Sequence, residues 1–78
     1  MDKVKTGKLY LNANERLALD EWTEFHCGDV VEVFVSGEWE QWRIEMNGRG
    51  EWYLCKQGYN GGTLTWYDVV GLTVREVR

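Results

Sequence analysis

Proline is absent from this sequence of 78 residues, and histidine, cysteine and long apolar runs are scarce. The lack of proline, with nine glycines and many Val, Thr, Tyr and Trp residues, indicates strands joined by glycine turns. No apolar run approaches the roughly 18 residues that a membrane helix needs, and the N-terminal MDKVKTGK has no apolar segment of signal-peptide type. We therefore expect a cytoplasmic protein without a membrane partner.

Basic charge is also in short supply, because 13 acidic residues outnumber nine basic ones and give a net charge of -4. The two signs are interspersed along the chain rather than gathered into blocks. Proteins that bind duplex nucleic acid normally cluster Lys and Arg on one surface. The sequence therefore argues against a duplex nucleic-acid partner and against a polybasic membrane patch.

Residues suited to catalysis or metal binding are few and scattered. One histidine and two cysteines, Cys27 and Cys55, cannot supply the four paired ligands of a structural zinc site. His26 and Asp29 flank Cys27, but adjacent side chains of an extended chain point apart, so a nucleophile–base pair is not expected. We expect no enzymatic activity, no cofactor and no metal. The lack of a secretory context favours reduced thiols, although a disulfide stays open.

The hydrophobic fraction of 44% and the charged fraction of 28% are those of a folded globular protein. Because the chain is short and has no internal repeat, residues 1–78 are expected to form a single domain. A domain this small buries only roughly 60% of the surface of its unfolded chain. Self-association is therefore one expected source of additional stability.

Alternating side chains predict several short antiparallel strands. GKLYLN and RLALD indicate an N-terminal hairpin, and DVVEVFV places Val31, Val33 and Val35 on one apolar face that should enter the core. Turns follow at SGE and at NGRG, where Asn-Gly favours a type I′ turn. The number and spacing of the strands predict an all-β fold, a small five- to six-stranded SH3-like barrel with an N-terminal hairpin and glycine-rich turns.

The C-terminal third predicts two more strands around a glycine-rich loop. EWYLCKQ is ambiguous because both of its faces are apolar, and we favour Trp52 and Leu54 as the inward pair. QGYNGGT is a loop, YDVVG is compatible with one turn of 3₁₀ helix, and GLTVREV is a last strand with Leu72 and Val74 inward.

The segment GEWEQWRIE places two tryptophans an odd number of residues apart on one predicted strand. Because strand side chains alternate between faces, Trp39 and Trp42 should lie on opposite sides of the sheet. We expect Trp42, Ile44 and Met46 to face the core. The set that faces the other way consists of Trp39, Gln41, Arg43 and Glu45, with Phe34 beside them on the preceding strand.

Exposed aromatic rings beside arginine are typical of protein interfaces and of base-stacking platforms. The predicted binding residues are Phe34, Trp39, Arg43 and Glu45, with a second aromatic cluster of Tyr59, Trp66 and Tyr67. Arg43 has two structural roles open to it, stacking on the Trp39 indole or forming a cross-strand ion pair. The alternative is that the N-terminal hairpin or the C-terminal loop covers this face.

Short segments between Cys27 and Arg75 follow one another in a characteristic order. They are Cys27-Gly28-Asp29, Glu32-Val33, Gly37, Trp39, Arg43-Ile44-Glu45, Trp52-Tyr53-Leu54, Gly71-Leu72 and Val74-Arg75. This order resembles a family of small uncharacterised bacterial proteins, domains of unknown function found in Firmicute genomes and mobile elements. The resemblance implies an SH3-like β-barrel and supplies no catalytic residues.

Three functions are compatible with these features. The first is a small acidic binding module that engages a protein partner or a second copy of itself, and on a mobile element it would inhibit or sequester a host component. The alternative is a small nucleotide or single-stranded nucleic acid stacked on the aromatic rings, with the negative charge favouring the small ligand. An enzyme ranks last, because a nucleophile, a base and an oxyanion site are not found together.

Overall fold

Short strands and the turns between them make up the part of the chain that the computed structural model describes, residues 4–58 and 60–77. None of these residues is helical, so the predicted all-β fold is confirmed. The strands are β1 (Thr6–Lys8), β2 (Tyr10–Leu11), β3 (Leu17–Asp20), β4 (Thr23–Glu24), β5 (Val30–Val35), β6 (Glu38–Met46), β7 (Trp52–Gln57), β8 (Thr63–Trp66) and β9 (Thr73–Glu76).

The strands form two antiparallel sheets. The larger sheet has six strands in the order β1-β9-β5-β6-β7-β8, and the smaller has three in the order β2-β3-β4. Within the larger sheet, β5 to β8 follow one another as hairpins, with Val31 opposite Trp42 and Ile44 opposite Leu54. The predicted N-terminal hairpin is present as β2 and β3, but the residues just before it, Thr6–Lys8, pair with β9 in the larger sheet.

The hydrophobic core lies between the two sheets. Val31 and Val33 are fully buried and Val35 packs at the margin, as the valine alternation predicts. The inward assignments of β7 and β9 are also confirmed: Leu54 and Val74 are fully buried, and Trp52 and Leu72 pack against the core. The smaller sheet and its flanking segments close the core from the other side with Leu9, Leu17 and Phe25.

Met46 departs from the predicted core. It shares a face with Trp42 and Ile44 but is 38% exposed. Met46 is the last residue of β6, and it lines an open groove with Leu11 and Trp52 instead of entering the core. Alternation therefore gives the correct face for Met46, whereas its exposure depends on the groove at the end of the strand.

The turn between β5 and β6 shows how glycine helps to fix the strand register. Val35 pairs with Glu38, so the β5–β6 turn consists of Ser36 and Gly37, whose φ angles are 50° and 86°. Positive φ at both central residues is the type I′ geometry, which matches the twist of the flanking strands. This turn holds β5 and β6 in the register that pairs Val31 with Trp42 and Phe34 with Trp39.

The NGRG segment does turn the chain, but the predicted type I′ geometry is wrong. The positive φ, 79°, falls on Gly50 and not on the Asn47–Gly48 pair. The Asn47 carbonyl accepts the Gly50 N–H at 3.1 Å, and its side-chain Oδ1 accepts the N–H groups of Arg49 and Glu51. The asparagine thus stabilises a longer loop through its side chain, a competing use of Asn in turns.

The YDVVG segment forms a turn at Val70–Gly71, with no 3₁₀ turn. Val69 is buried there and fills the end of the core. The turn is tied to the N-terminal segment, because Gly71 N–H donates to the Leu9 carbonyl at 2.8 Å and Leu9 N–H donates to the Leu72 carbonyl at 2.9 Å. Within the described ranges, no helix is long and apolar enough to cross a bilayer.

Candidate functional site on the outer face

The larger sheet has one face turned away from the smaller sheet, and we call it the outer face. Strand alternation and register bring the side chains of all six strands of this sheet together there. Its cross-strand neighbours are Thr6 with Arg75, Arg75 with Glu32, Glu32 with Gln41, Phe34 with Trp39, Val30 with Arg43, Arg43 with Cys55, Cys55 with Thr65, and Glu45 with Tyr53. No described strand covers this face.

Phe34 and Trp39 form an aromatic pair beside the β5–β6 turn. The two residues are direct cross-strand partners, and their ring centroids lie 5.1 Å apart with the planes inclined by 58°. Phe34 is 47% exposed, whereas Trp39 is half-buried. A tilted pair at this spacing adds stabilisation beyond the area that it buries. The predicted separation of the tryptophans is confirmed, because Trp42 lies in the core and Trp39 on the outer face.

Arg75 is the cation that stacks on Trp39. Its guanidinium carbon lies 4.2 Å from the centroid of the indole, and its Nε donates to Glu32 Oε1 at 2.6 Å. Glu32 and Arg75 are cross-strand partners on β5 and β9, so the ion pair orients the guanidinium over the ring. Arg75 is not among the binding residues predicted from the sequence, because its contact with Trp39 requires β9 to lie beside β5.

Arg43 takes neither predicted role: it does not stack on Trp39, and its ion pair is with Glu45 on its own strand β6 rather than with a carboxylate across strands. Its Nε pairs with Glu45 Oε2 at 2.6 Å, and its Nη2 donates to Cys55 Sγ at 3.5 Å. The neighbouring Cys55 sulfur and the Glu45 carboxylate raise the pKa of Arg43 above its ordinary value. Arg43 therefore stays charged. Its guanidinium is held by Glu45 and Cys55 and does not stack on Trp39.

Tyr53 and Tyr67 form a second aromatic pair at the opposite end of the outer face. Their ring centroids are 5.1 Å apart, and the Tyr67 hydroxyl lies 3.3 Å from Asn47 Nδ2, which can donate to it. Tyr67 is 51% exposed. Desolvation, reinforced by the nearby Cys55 sulfur, raises the pKa of Tyr53. The Tyr53 phenol is therefore protonated at neutral pH and can donate a hydrogen bond.

The predicted second cluster of Tyr59, Trp66 and Tyr67 is divided by the sheet. Trp66 lies on the core side, half-buried, with its ring edge-on to Trp42 at 5.5 Å. Tyr67, the next residue along the chain, belongs to the outer face with Tyr53. Tyr59 lies outside the described residues. Of the seven residues proposed from the sequence, the outer face therefore brings together Phe34, Trp39, Arg43, Glu45 and Tyr67.

The two thiols and the imidazole are not gathered at one site: Cys55 lies on the outer face beside Arg43, whereas His26 and Cys27 lie in the segment between β4 and β5. Cys27 is exposed, Cys55 is buried, and both are free thiols, which answers the disulfide question that the sequence left open. His26 lies 3.6 Å from Glu24 and 3.8 Å from Asp29 through its two ring nitrogens. No group of three or more His, Cys, Asp or Glu side chains in the described ranges has the geometry to hold a metal ion.

Trp22 is a surface residue that is not among the binding residues predicted from the sequence. It lies in the turn between β3 and β4 and is 84% exposed. Its backbone N–H donates to Asp20 Oδ1 at 2.8 Å, and this hydrogen bond is the largest cause of the lowered pKa of Asp20. A tryptophan in a turn carries no alternation signal, so its exposure is visible only in the structure.

Comparison with known proteins identifies the family of this all-β chain. A family model described as a domain of unknown function (DUF5348) matches residues 7–75. The chain therefore belongs to that family. No curated protein and no solved structure matches the chain.

Proposed function

We propose that this protein is a non-catalytic binding module that engages a protein partner through its outer face. The observation that carries the proposal is the pair Phe34–Trp39, a large aromatic surface that remains accessible although the core has tryptophans of its own. Aromatic residues and arginine are enriched at protein interfaces, where a few of them contribute most of the binding free energy.

The charges of the outer face suit a protein surface. Arg43 is paired with Glu45 and Arg75 with Glu32, so both guanidinium groups are held in fixed positions. An oriented guanidinium can still donate its remaining N–H groups to carbonyl or carboxylate oxygens of a partner. The face therefore offers hydrogen-bond donors in fixed places beside apolar rings, which gives specificity as well as contact area.

A stacked nucleotide is less well supported. A ligand base would need a free indole face and a phosphate would need an available cation. Arg75 already covers one face of Trp39, and Glu32 and Glu45 engage the two arginines of this surface. Loss of tryptophan fluorescence on titration with nucleotides or short oligonucleotides would nevertheless favour this alternative.

The resemblance to Firmicute and mobile-element proteins suggests a biological setting for the proposal. In that setting, the protein is a cytoplasmic inhibitor or sequestering factor that covers a surface of a host protein. An SH3-like barrel is the class that we propose for the two-sheet architecture. By analogy with that class, a sheet face and the loops beside it form the ligand groove.

The test compares two tryptophan substitutions of equal size. Immobilised wild-type protein, Trp39→Ala and Trp22→Ala are incubated with lysate of the source cells, and the captured proteins are identified by mass spectrometry. Trp22 is exposed but lies in the smaller sheet's β3–β4 turn, so Trp22→Ala controls for the loss of an accessible indole. We expect a partner that wild type and Trp22→Ala retain and that Trp39→Ala binds about thirtyfold or more weakly, which corresponds to the roughly 2 kcal/mol of an interface hot spot.

Circular dichroism and thermal unfolding of each variant check that the fold persists. A partner captured equally by all three proteins would place the binding surface elsewhere on the molecule. If no captured protein depends on Trp39, the proposed binding face is wrong.

A further inference from the structure

The two edges of the larger sheet differ in how they are protected. We propose that β8 is a self-association edge, at which β8 of a second copy adds in antiparallel orientation and joins the two larger sheets into one. β1, at the other edge, is a three-residue strand that ends in Lys8 and follows Lys5. β8 has the sequence TLTW, with no charge and no proline. This inference is independent of the proposed outer-face partner.

The backbone of β8 offers hydrogen-bonding groups to the open edge. Gly58 N–H donates to the Gly62 carbonyl at 2.6 Å, and the β7–β8 register continues from there through Gln57–Thr63 to Leu54–Trp66. Bonded and non-bonded pairs alternate along an antiparallel ladder. The N–H and C=O groups of Thr63 and Thr65 therefore point away from β7, toward the side where the described residues provide no further strand.

Natural sheets usually protect such an edge with lysine, proline, a bulge or a covering segment. In β8, Thr63, Leu64 and Thr65 are all exposed, and Leu64 is 48% exposed. The pairing of β7 with β8 is regular over all four residue pairs, so no bulge turns the edge aside. Among the protective devices, none is present on the described part of this edge.

A second copy of the chain fits this edge because β8 is complementary to itself. A two-fold axis at Thr65 places Thr65 opposite Thr65 of the second copy, which satisfies the outward N–H and C=O groups of both. The same register puts Leu64 beside Trp66 of the second copy on the core-side face. The Trp66 ring of the second copy thereby covers the exposed Leu64. Threonine–threonine pairs and aromatic–aliphatic pairs are both favourable across strands.

Charge does not oppose the approach of a second copy at this edge. The chain carries a net charge of -4, which opposes self-association at most surfaces, but β8 contributes none of that charge. Pairing through main-chain groups with alternate side-chain contacts is an established mode of strand addition. The neutral edge is thus a place where two copies meet without direct like-charge contact.

The test combines solution mass with hydrogen exchange. Sedimentation equilibrium of the full chain, from micromolar to millimolar concentration, is expected to show a monomer–dimer equilibrium. In Thr65→Lys, two lysines face each other across the two-fold axis, so the dimer should be lost over this range. Thr6→Lys makes the same substitution at an exposed threonine on β1 and should leave the equilibrium unchanged.

Amide exchange of wild type, followed by NMR, identifies the edge directly. The Thr63 and Thr65 amides should become protected as the concentration rises, because dimer formation gives them acceptors. A wild-type protein that stays monomeric at millimolar concentration would overturn the proposal. A dimer that survives Thr65→Lys, that is lost equally in Thr6→Lys, or that leaves these two amides unprotected would also overturn it.

Discussion

Each of the two faces of β6 carries a tryptophan, and the two tryptophans differ in burial and in the contacts that hold them. Trp42, on the core face, is 7% exposed and packs among fully buried aliphatic side chains. Trp39, three residues earlier, lies on the outer face and is held by one ring, Phe34, and one cation, Arg75. The core face is stabilised by burial from many sides, whereas the outer face is stabilised by pairwise contacts within one layer. Trp42 thus stabilises the core, whereas Trp39 stays partly accessible on the surface.

The largest expected difference between the faces is in stability. Trp42→Ala should lower the free energy of unfolding by about 3–5 kcal/mol, because it leaves a cavity in a core that cannot collapse around it. Trp39→Ala should cost less, about 1–2.5 kcal/mol, because it removes the ring contact with Phe34 and the cation–π contact with Arg75 but leaves no cavity in the core. Denaturant unfolding of both variants measures the difference, and equal losses would contradict the assignment of the faces.

An intermediate effect is expected within the outer face. If Phe34 and Trp39 stabilise each other, the double variant Phe34→Ala/Trp39→Ala should lose less stability than the sum of the single variants. The expected coupling is about 0.5–1.5 kcal/mol. Phe34→Ala combined with Tyr67→Ala, which removes rings from separate pairs, is the control and should be additive. A zero coupling between Phe34 and Trp39 would mean that the two rings are independent.

The smallest expected effect concerns a charged pair at the margin of the core face. Lys56 Nζ lies 2.9 Å from Glu40 Oε1, and this hydrogen bond, followed by the one from Trp42 Nε1 at 3.2 Å, lowers the pKa of Glu40 below its ordinary value of 4.5. A lowered pKa means that the stabilisation is complete above 4.5 and is lost as the pH falls through the pKa of the folded state. Glu40→Gln should therefore destabilise the protein at neutral pH and have progressively less effect in acid.

Unfolding curves of wild type and Glu40→Gln between about pH 7 and pH 3 measure this change. Lys56→Gln is the matched background, in which Glu40→Gln should lose most of its pH-dependent effect. A constant difference in stability between wild type and Glu40→Gln across this range would show that the ion pair contributes nothing to acid sensitivity.

Local rules predicted the features that depend on neighbours in the sequence. Alternation identified the valine face of β5 and separated Trp39 from Trp42. The Ser36–Gly37 turn followed from the same local chemistry, since only a short turn with positive φ joins strands so closely. These predictions succeeded because each depends on backbone geometry within a few residues.

The errors and omissions involve contacts between distant segments or competing local chemistry. The Asn47 side chain, rather than positive φ at Gly48, sets the geometry of the NGRG turn. Met46 is exposed because it lies at the end of β6 and lines an open groove with residues of the N-terminal hairpin. Arg75, and not Arg43, stacks on Trp39 because β9 pairs with β5, a pairing that spans more than forty residues of sequence.

The sequence by itself determined an all-β chain, the faces of its strands and the presence of aromatic residues beyond what one face of a sheet would need. Side-chain alternation is a property of the extended backbone, so it is already present in the order of the residues. Only the tertiary structure decided which rings stay accessible, which arginine meets which ring, and which sheet edge is left open. Those outcomes depend on strand order and on the placement of the second sheet, and a linear pattern does not encode either one locally.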